Sequence, residues 1–277
     1  MKNFKEKVVV ITGAGSGIGR ALAIEFDKLG AKLALNDFNK NTLLETIELL
    51  NNKNVFYDVF DVSERTAVFA FAEKIISQYN VIDVVFNNAG IAMNGEGFES
   101  IDLDKFERVM QVNFNGVLYG SRAFLPHLLK RPEAALVNTA SVYGLTGIAW
   151  GEAYVASKFA VNGLTQSLMQ TYRDTNLSIH CVYPGGIKTN ITKNSIDYTK
   201  EADKFDEMFL IHTPEYAAKT IIKGIKKNKK RIIIGYDGKA IEYLSRIAPV
   251  LGCNLINNKL KPVRDEYKKS KINDKKN

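Results

Sequence analysis

Ser141, Tyr154 and Lys158 fall within one stretch, SVYGLTGIAWGEAYVASK. A free tyrosine keeps its proton to a pH of about 10, so a tyrosine acting as a base near neutrality needs a positive charge beside it. Tyr154 and Lys158 are four residues apart, and on a helix that spacing puts both side chains on one face. At an effective dielectric of about 20, a cation about 4 Å away is worth about 4 kcal/mol, or about three pH units on the phenol. Ser141 ends the preceding apolar run, where its hydroxyl can hold the same substrate oxygen. The chemistry this suits is proton transfer at an alcohol or carbonyl oxygen. Tyr143 competes for the role of base but has no lysine one turn on; with Gly144 and Leu145 it is expected to line the substrate pocket. A Tyr four residues before a Lys is common on solvated helices, so the reading depends on what accompanies it.

The company is a phosphate cradle. TGAGSGIG, Thr12 to Gly19, follows an apolar run and opens an amphipathic one. Glycines at 13, 17 and 19 let the backbone turn sharply and approach a pyrophosphate, whose charge then faces a helix N-terminus. Ser16 and Ile18 belong to the same turn. The next apolar run ends at Asp37, some 24 residues after Gly13, where a carboxylate can accept from both ribose hydroxyls and repel the additional phosphate of NADP. Phe38 follows where a basic residue would favour that phosphate, so NAD is expected over NADP, although Arg20 could reach toward a phosphate. Asp61 and Val62 end the third run. Asp61 suits either the adenine amino group or the N-terminus of the helix that follows, where Ser63 also fits the cap.

These residues need a scaffold, and the pattern supplies one. Short β-branched runs such as KVVVIT, KLALND, VIDVVFN, AALVNTA and LSIHCVYPGG alternate with helix-length amphipathic stretches. Strands apolar along their whole length are buried on both faces, so the fold class expected is α/β, a single doubly wound domain with a parallel sheet and helices on both faces. In such sheets ligands bind beyond the carboxyl ends of the strands, which is where the residues above fall. From Asn190 to about His212 the pattern loosens, and Ile191, Ile196, Tyr198, Phe205, Met208 and Phe209 would give a substrate lid an apolar underside.

Of the 277 residues, 45% are hydrophobic and 25% charged, ordinary for one large domain. The apolar run near the N-terminus is too short for a secretory core or a membrane span, so a cytoplasmic protein is expected. Cys181 and Cys253 have no metal-like spacing and read as free thiols. The net charge of +8 is uneven: from Lys223 onward the chain carries about +11. The expected organisation is a domain over residues 1–250 and a basic extension over 251–277, partly disordered or packed on an interface. Docking to an acidic partner or an anionic membrane surface is the alternative use of that charge. Nucleic acid is not expected as a partner, because the charge is terminal and the cradle suits a dinucleotide.

At this point the chain resembles the short-chain dehydrogenase/reductase family, over roughly Lys7 to Thr189, on TGAGSGIG, NNAG (Asn87 to Gly90) and the Ser141, Tyr154, Lys158 set. The resemblance implies a Rossmann-type domain. It also implies that Asn113, in VNFNG, distorts the long helix and holds a water that relays protons to the lysine. Asn88 and Gly90 would lie along the cofactor, with Asn87 bracing the sheet. In YPGGIKT, Pro184 and Gly185 would shape a turn, the Ile187 backbone would meet the nicotinamide carboxamide, and the Thr189 hydroxyl would add a bond. A homodimer or homotetramer is implied by the family alone. The expected activity is oxidation of a secondary alcohol or reduction of a ketone, with Tyr154 as base. Ala92, Met93, Tyr143, Leu145 and Trp150 would line an apolar substrate pocket. Two other readings are a 3-oxoacyl-carrier-protein reductase, against which Asp37 argues, and a non-catalytic nucleotide-binding scaffold, against which the intact set argues.

Overall fold

The computed structural model describes residues 1–93, 97–193, 195–196 and 210–274. Seven parallel strands form one sheet in the order β3-β2-β1-β4-β5-β6-β7. They are β1 (Val8–Thr12), β2 (Lys32–Asp37), β3 (Phe56–Val59), β4 (Val84–Asn87), β5 (Ala134–Thr139), β6 (Leu177–Pro184) and β7 (Arg231–Ile234). The chain order reverses between β1 and β4, whose register pairs Val9 with Val84 and Ile11 with Phe86. That reversal opens a crevice past the strand ends.

The alternating faces of the strands feed two apolar layers. On one side α1 (Gly17–Lys28), α2 (Lys40–Glu48) and α7 (Pro214–Lys226) pack Leu22, Phe26, Leu43 and Ile221 against Val9, Ile11 and Leu35. On the other, α3 (Arg65–Tyr79), α5 (Gly116–Leu128) and α6 (Glu152–Thr171) pack Phe71, Phe124 and Val161 against Val10, Val85 and Leu136. The strand interiors are almost wholly apolar because both faces are covered. The buried polar exceptions include the strand-end residues Thr12, Asn36, Asp37, Asn87, Asn138 and Thr139, and His180 in the middle of β6.

The long helix expected around Asn113 is interrupted. α4 (Leu103–Met110) passes into a π-turn at Gln111–Asn115 before α5 begins. One extra residue per turn there rotates Asn113 inward, as π-bulges commonly do at functional sites. After β7, α8 (Tyr236–Ile247) and α9 (Pro249–Asp274) fold back toward the strand ends. Both cysteines are free, Cys181 buried and Cys253 half-buried.

Candidate active site

The crevice is a cleft of about 1000 Å³, and its residues come from the carboxyl ends of the strands. Its nucleotide end begins at Gly13, whose φ of 66° is left-handed and whose added Cβ would sit 2.8 Å from the Ala89 Cα. Any side chain there would push apart the turns after β1 and β4. Gly17 also has positive φ, and a Cβ on it would come within 3.0 Å of the Thr189 methyl. Gly19 packs beneath the turn, where a Cβ would overlap the Gly13 carbonyl, and it does not line the cleft. Ser16 caps α1 without a side-chain bond to the helix, and the first turn holds no acid. The helix thus presents its N–H groups and positive end to the cleft, an arrangement that fits a pyrophosphate.

Asp37 lies where the sequence places it, at the end of β2 and facing the cleft. Gly15 N donates to its Oδ2 at 2.8 Å and Asn39 N to its Oδ1 at 2.9 Å, which fixes the carboxylate. Arg20 lines the same end and is already engaged: Nε donates to Thr46 Oγ1, and one terminal nitrogen bonds the Gly15 and Thr42 carbonyls and pairs with Glu45. Phe38 is exposed. Asp61 and Val62 line the cleft, but Asp61 also accepts from Ser63 N and Oγ and pairs with Arg108. Burial works against its charge, yet these bonds and the Arg108 cation together hold its pKa below the ordinary carboxylate value.

Asn88 Nδ2 donates to the Thr12 carbonyl at 3.0 Å and joins the β1 and β4 ends. Asn87 turns the other way, donating to Asn138 Oδ1 at 2.8 Å and Ser121 Oγ at 3.2 Å, so it braces the sheet as expected. Pro184, Ile187 and Thr189 line the cleft beyond β6. Gly186 N bonds Asp237 Oδ2 at 2.7 Å, and Asp237 Oδ1 lies 3.1 Å from His212 Nε2, which ties the post-β6 turn to α8.

Ser141, Tyr154 and Lys158 converge in the middle of the cleft. Tyr154 and Lys158 sit one turn apart on α6, with Lys158 Nζ 5.6 Å from the Tyr154 ring centroid. The Ser141 hydroxyl hydrogen-bonds the Tyr154 side chain, which favours the phenolate. Asn113 stands behind the cleft wall. Its Nδ2 donates to the Ile91 carbonyl at 2.9 Å and Ser157 Oγ at 3.0 Å, while its Oδ1 accepts from Ile91 N at 2.8 Å. Gly90 separates Asn113 from Lys158: a Cβ on it would lie 3.2 Å from Asn113 Oδ1 and 3.4 Å from Lys158 Nζ.

One expectation needs correction. The lysine was to bring the phenol near neutrality by direct attraction, yet burial raises the Tyr154 pKa above its ordinary value, with only the Ser141 bond opposing. Lys158 Nζ donates instead to the Thr139 carbonyl at 3.0 Å, and burial pushes its own pKa down to about 8. Burial acts on both groups, against the phenolate and against the ammonium. Burial raises Tyr143 as well, to which the nearby Tyr154 and Asp237 add, so Tyr143 gains nothing as a base.

Met93, Tyr143 and Trp150, the residues expected to line a substrate pocket, stand along the same cleft. Leu145, expected there, does not line the cleft: it follows the short turn Val142–Gly144 and packs against the α3–α5–α6 layer. Of the expected lid, Tyr198, Phe205, Met208 and Phe209 lie outside the described residues. Its two roots are anchored. Ile196 N donates to the Ala92 carbonyl at 2.9 Å, and Lys188 N to the His212 carbonyl at 2.8 Å.

The sequence reading missed the wall contributed by α9. Leu255, Ile256, Leu260 and Arg264 line the cleft. Asn257 Oδ1 accepts from Ala149 N at 2.8 Å, Cys253 Sγ lies 3.1 Å from Thr146 Oγ1, and the Arg264 guanidinium stands over the Trp150 ring. The signal was present: residues 253, 256, 257, 260 and 264 repeat at helical spacing. Trp150 has a φ of 67°, a rare conformation for an aromatic residue, and these contacts hold the segment in it.

A glycine-lined anion cradle beside a buried Ser-Tyr-Lys set defines a nucleotide-dependent oxidoreductase site. The family model for short chain dehydrogenases matches residues 7–199, and the chain belongs to the short-chain dehydrogenase/reductase family. SadH of Mycobacterium tuberculosis, named as an inferred oxidoreductase, is 41% identical over 256 residues, covering 89% of this chain and 92% of its own. The 3beta-hydroxysteroid dehydrogenase 2 of Eggerthella lenta is 37% identical over 188 residues, covering 67% of this chain and 72% of its own. The crystal structure of a short-chain dehydrogenase/reductase from Burkholderia phymatum in complex with NAD superposes with a TM-score of 0.82 at 29% identity, covering 89% of this chain and 94% of that one. The fold and the nicotinamide-type cofactor site follow from this membership together with the cradle.

Proposed function

We propose that the protein is an NAD-preferring dehydrogenase that interconverts an apolar secondary alcohol and its ketone. The observation that carries the reading is the convergence of Ser141, Tyr154 and Lys158 in one cleft with the Asp37 carboxylate at its far end. A fixed, nearly buried carboxylate suits two ribose hydroxyls and repels a phosphate, and Arg20 is already tied to Glu45 and two carbonyls. Gly13, Gly17 and the start of α1 would hold the pyrophosphate, Asn88 and Gly90 the cofactor's middle, and Ile187 and Thr189 the carboxamide. When bound, the oxidised nicotinamide supplies a hydride acceptor and a positive charge that favours the phenolate.

In the oxidative direction Tyr154, as phenolate, takes the alcohol proton while Ser141 holds the same oxygen by a hydrogen bond. Lys158, as the ammonium, would bind the ribose of a nicotinamide cofactor and favour the phenolate one turn away, and Asn113, fixed by Ile91 and Ser157, would support a water beside Gly90 through which the proton leaves to solvent. In reduction the same groups return the proton. Met93, Tyr143, Trp150, Leu255 and Leu260 make the substrate end predominantly apolar, which favours a bulky, weakly polar alcohol over a sugar.

The test is absorbance at 340 nm with NAD⁺ or NADP⁺ against secondary alcohols running from acetoin through long-chain alcohols to hydroxysteroids. Turnover with NAD⁺ that rises with apolar bulk is expected. A preference for NADP⁺, or for acetoin over every larger alcohol, would overturn the corresponding half of the proposal.

A further inference from the structure

The end of the chain carries a surface that the dehydrogenase reading leaves unused. Tyr236, Ala240, Tyr243 and Ile247 stand at i, i+4, i+7 and i+11 on α8, so they form one stripe along the helix. The three large residues are 65%, 67% and 65% exposed, whereas such a stripe on a packed helix is normally turned inward. Val250, Leu251 and Leu255 continue the patch onto α9, each at least half exposed. Lys239, Arg246, Lys259 and Lys261 are exposed around it. From Tyr236 to Asn277 the sequence holds ten basic residues against five acidic.

That charge selects among occupants. A second copy seated on the patch about a two-fold axis would bring these basic groups face to face. An anionic lipid surface complements them, and an apolar stripe with tyrosines and flanking lysines is what the headgroup region accommodates. Among the described residues no helix is long and apolar enough to cross a membrane, so the contact is peripheral. Leu255 belongs both to the exposed patch and to the cleft wall, so patch and cleft share an edge.

We propose that α8 and the first turns of α9 dock on an anionic lipid surface, with the substrate end of the cleft opening at that contact. An apolar alcohol or ketone then enters from the lipid without first dissolving in water. The docking stands on the patch alone; the delivery rests on the dehydrogenase reading.

The experiment is co-flotation of the full chain with vesicles of phosphatidylcholine alone or with about 30% phosphatidylglycerol, repeated with Tyr243→Ser/Leu251→Ser and Lys239→Gln/Lys261→Gln. All four positions are exposed and none lines the cleft, so thermal midpoints should match the wild type. Binding to the anionic vesicles alone is expected, reduced at least about tenfold by the apolar pair and several-fold by the lysine pair. Equal binding to both vesicle types, no binding, or no effect of Tyr243→Ser/Leu251→Ser overturns docking. So does light scattering showing a wild-type oligomer that this variant dissociates, which would assign the patch to a second copy. Docking without alcohol turnover would defeat the dehydrogenase reading alone, and turnover without docking would defeat this inference alone.

Discussion

His180 lies in the middle of β6, fully buried, with Nδ1 2.7 Å from the Lys229 carbonyl and, among the described residues, no partner for Nε2. A carbonyl at Nδ1 requires that nitrogen to carry the proton, so a second proton must go to Nε2, where nothing accepts it. Burial accordingly pushes the imidazole pKa from 6.5 down to about 4. The unfolded chain binds a proton near 6.5 that the folded chain refuses until about 4, so stability from this group is complete above pH 6.5 and falls as the pH drops toward 4. At 1.36 kcal/mol per pH unit the loss is about 2 kcal/mol at pH 5. Urea unfolding at pH 7.5 and pH 5 should show this loss in the wild type. His180→Asn keeps a donor toward Lys229 without a titrating group; it costs some stability at every pH but should remove about 2 kcal/mol of the acid dependence. If wild type and variant lose the same amount between the two pH values, the buried neutral imidazole is the wrong cause.

Tyr154→Phe should lower kcat by at least about a hundredfold while leaving NADH binding, followed by fluorescence titration, within a few-fold; retention of a tenth of the activity would remove Tyr154 as the base. Asp37→Ala should narrow the preference for NAD⁺ over NADP⁺ by about 10- to 100-fold, the worth of hydrogen bonds to a charged group, and an unchanged ratio of kcat/KM would contradict the assignment. Gly13→Ala places a Cβ 2.8 Å from the Ala89 Cα at a left-handed φ, so a Tm several degrees lower and weaker NADH binding are expected, checked by calorimetry and titration. Ending the chain after Ala248 removes Leu255, Ile256 and Leu260 from the cleft wall. It should raise KM for decan-2-ol about tenfold or more, from lost apolar contact, with butan-2-ol nearly unchanged; equal effects on both would deny α9 its place in the pocket.

The layers and the nucleotide end were legible because their signals are local. A strand buried on both faces is apolar throughout, and a turn that must clear a neighbouring backbone, as Gly13 clears Ala89, has to be glycine. The Tyr154–Lys158 pairing follows from helical spacing alone. Other features depend on contacts that spacing does not encode. Leu145 and Tyr143 are two residues apart and both pack against the α3–α5–α6 layer, but only Tyr143 also lines the cleft. The energetics of Tyr154 and Lys158 were misjudged because the spacing reveals their proximity and not their removal from water. The α9 wall was missed because its partner segment, Gly147 to Trp150, lies more than a hundred residues earlier, and a run of lysines on the same stretch masks its apolar face.

The α9 wall also orders the molecule in time. Synthesis delivers residues 12–90, which make most of the nucleotide end, first; the groups within 113–158 follow, then Ile187 and Thr189, and the α9 wall comes after all of them. The same order lets an exchange of the final helix alter the cleft's apolar wall without disturbing the sheet, because the contacts of α9 are chiefly with α8 and with the Thr146–Trp150 segment.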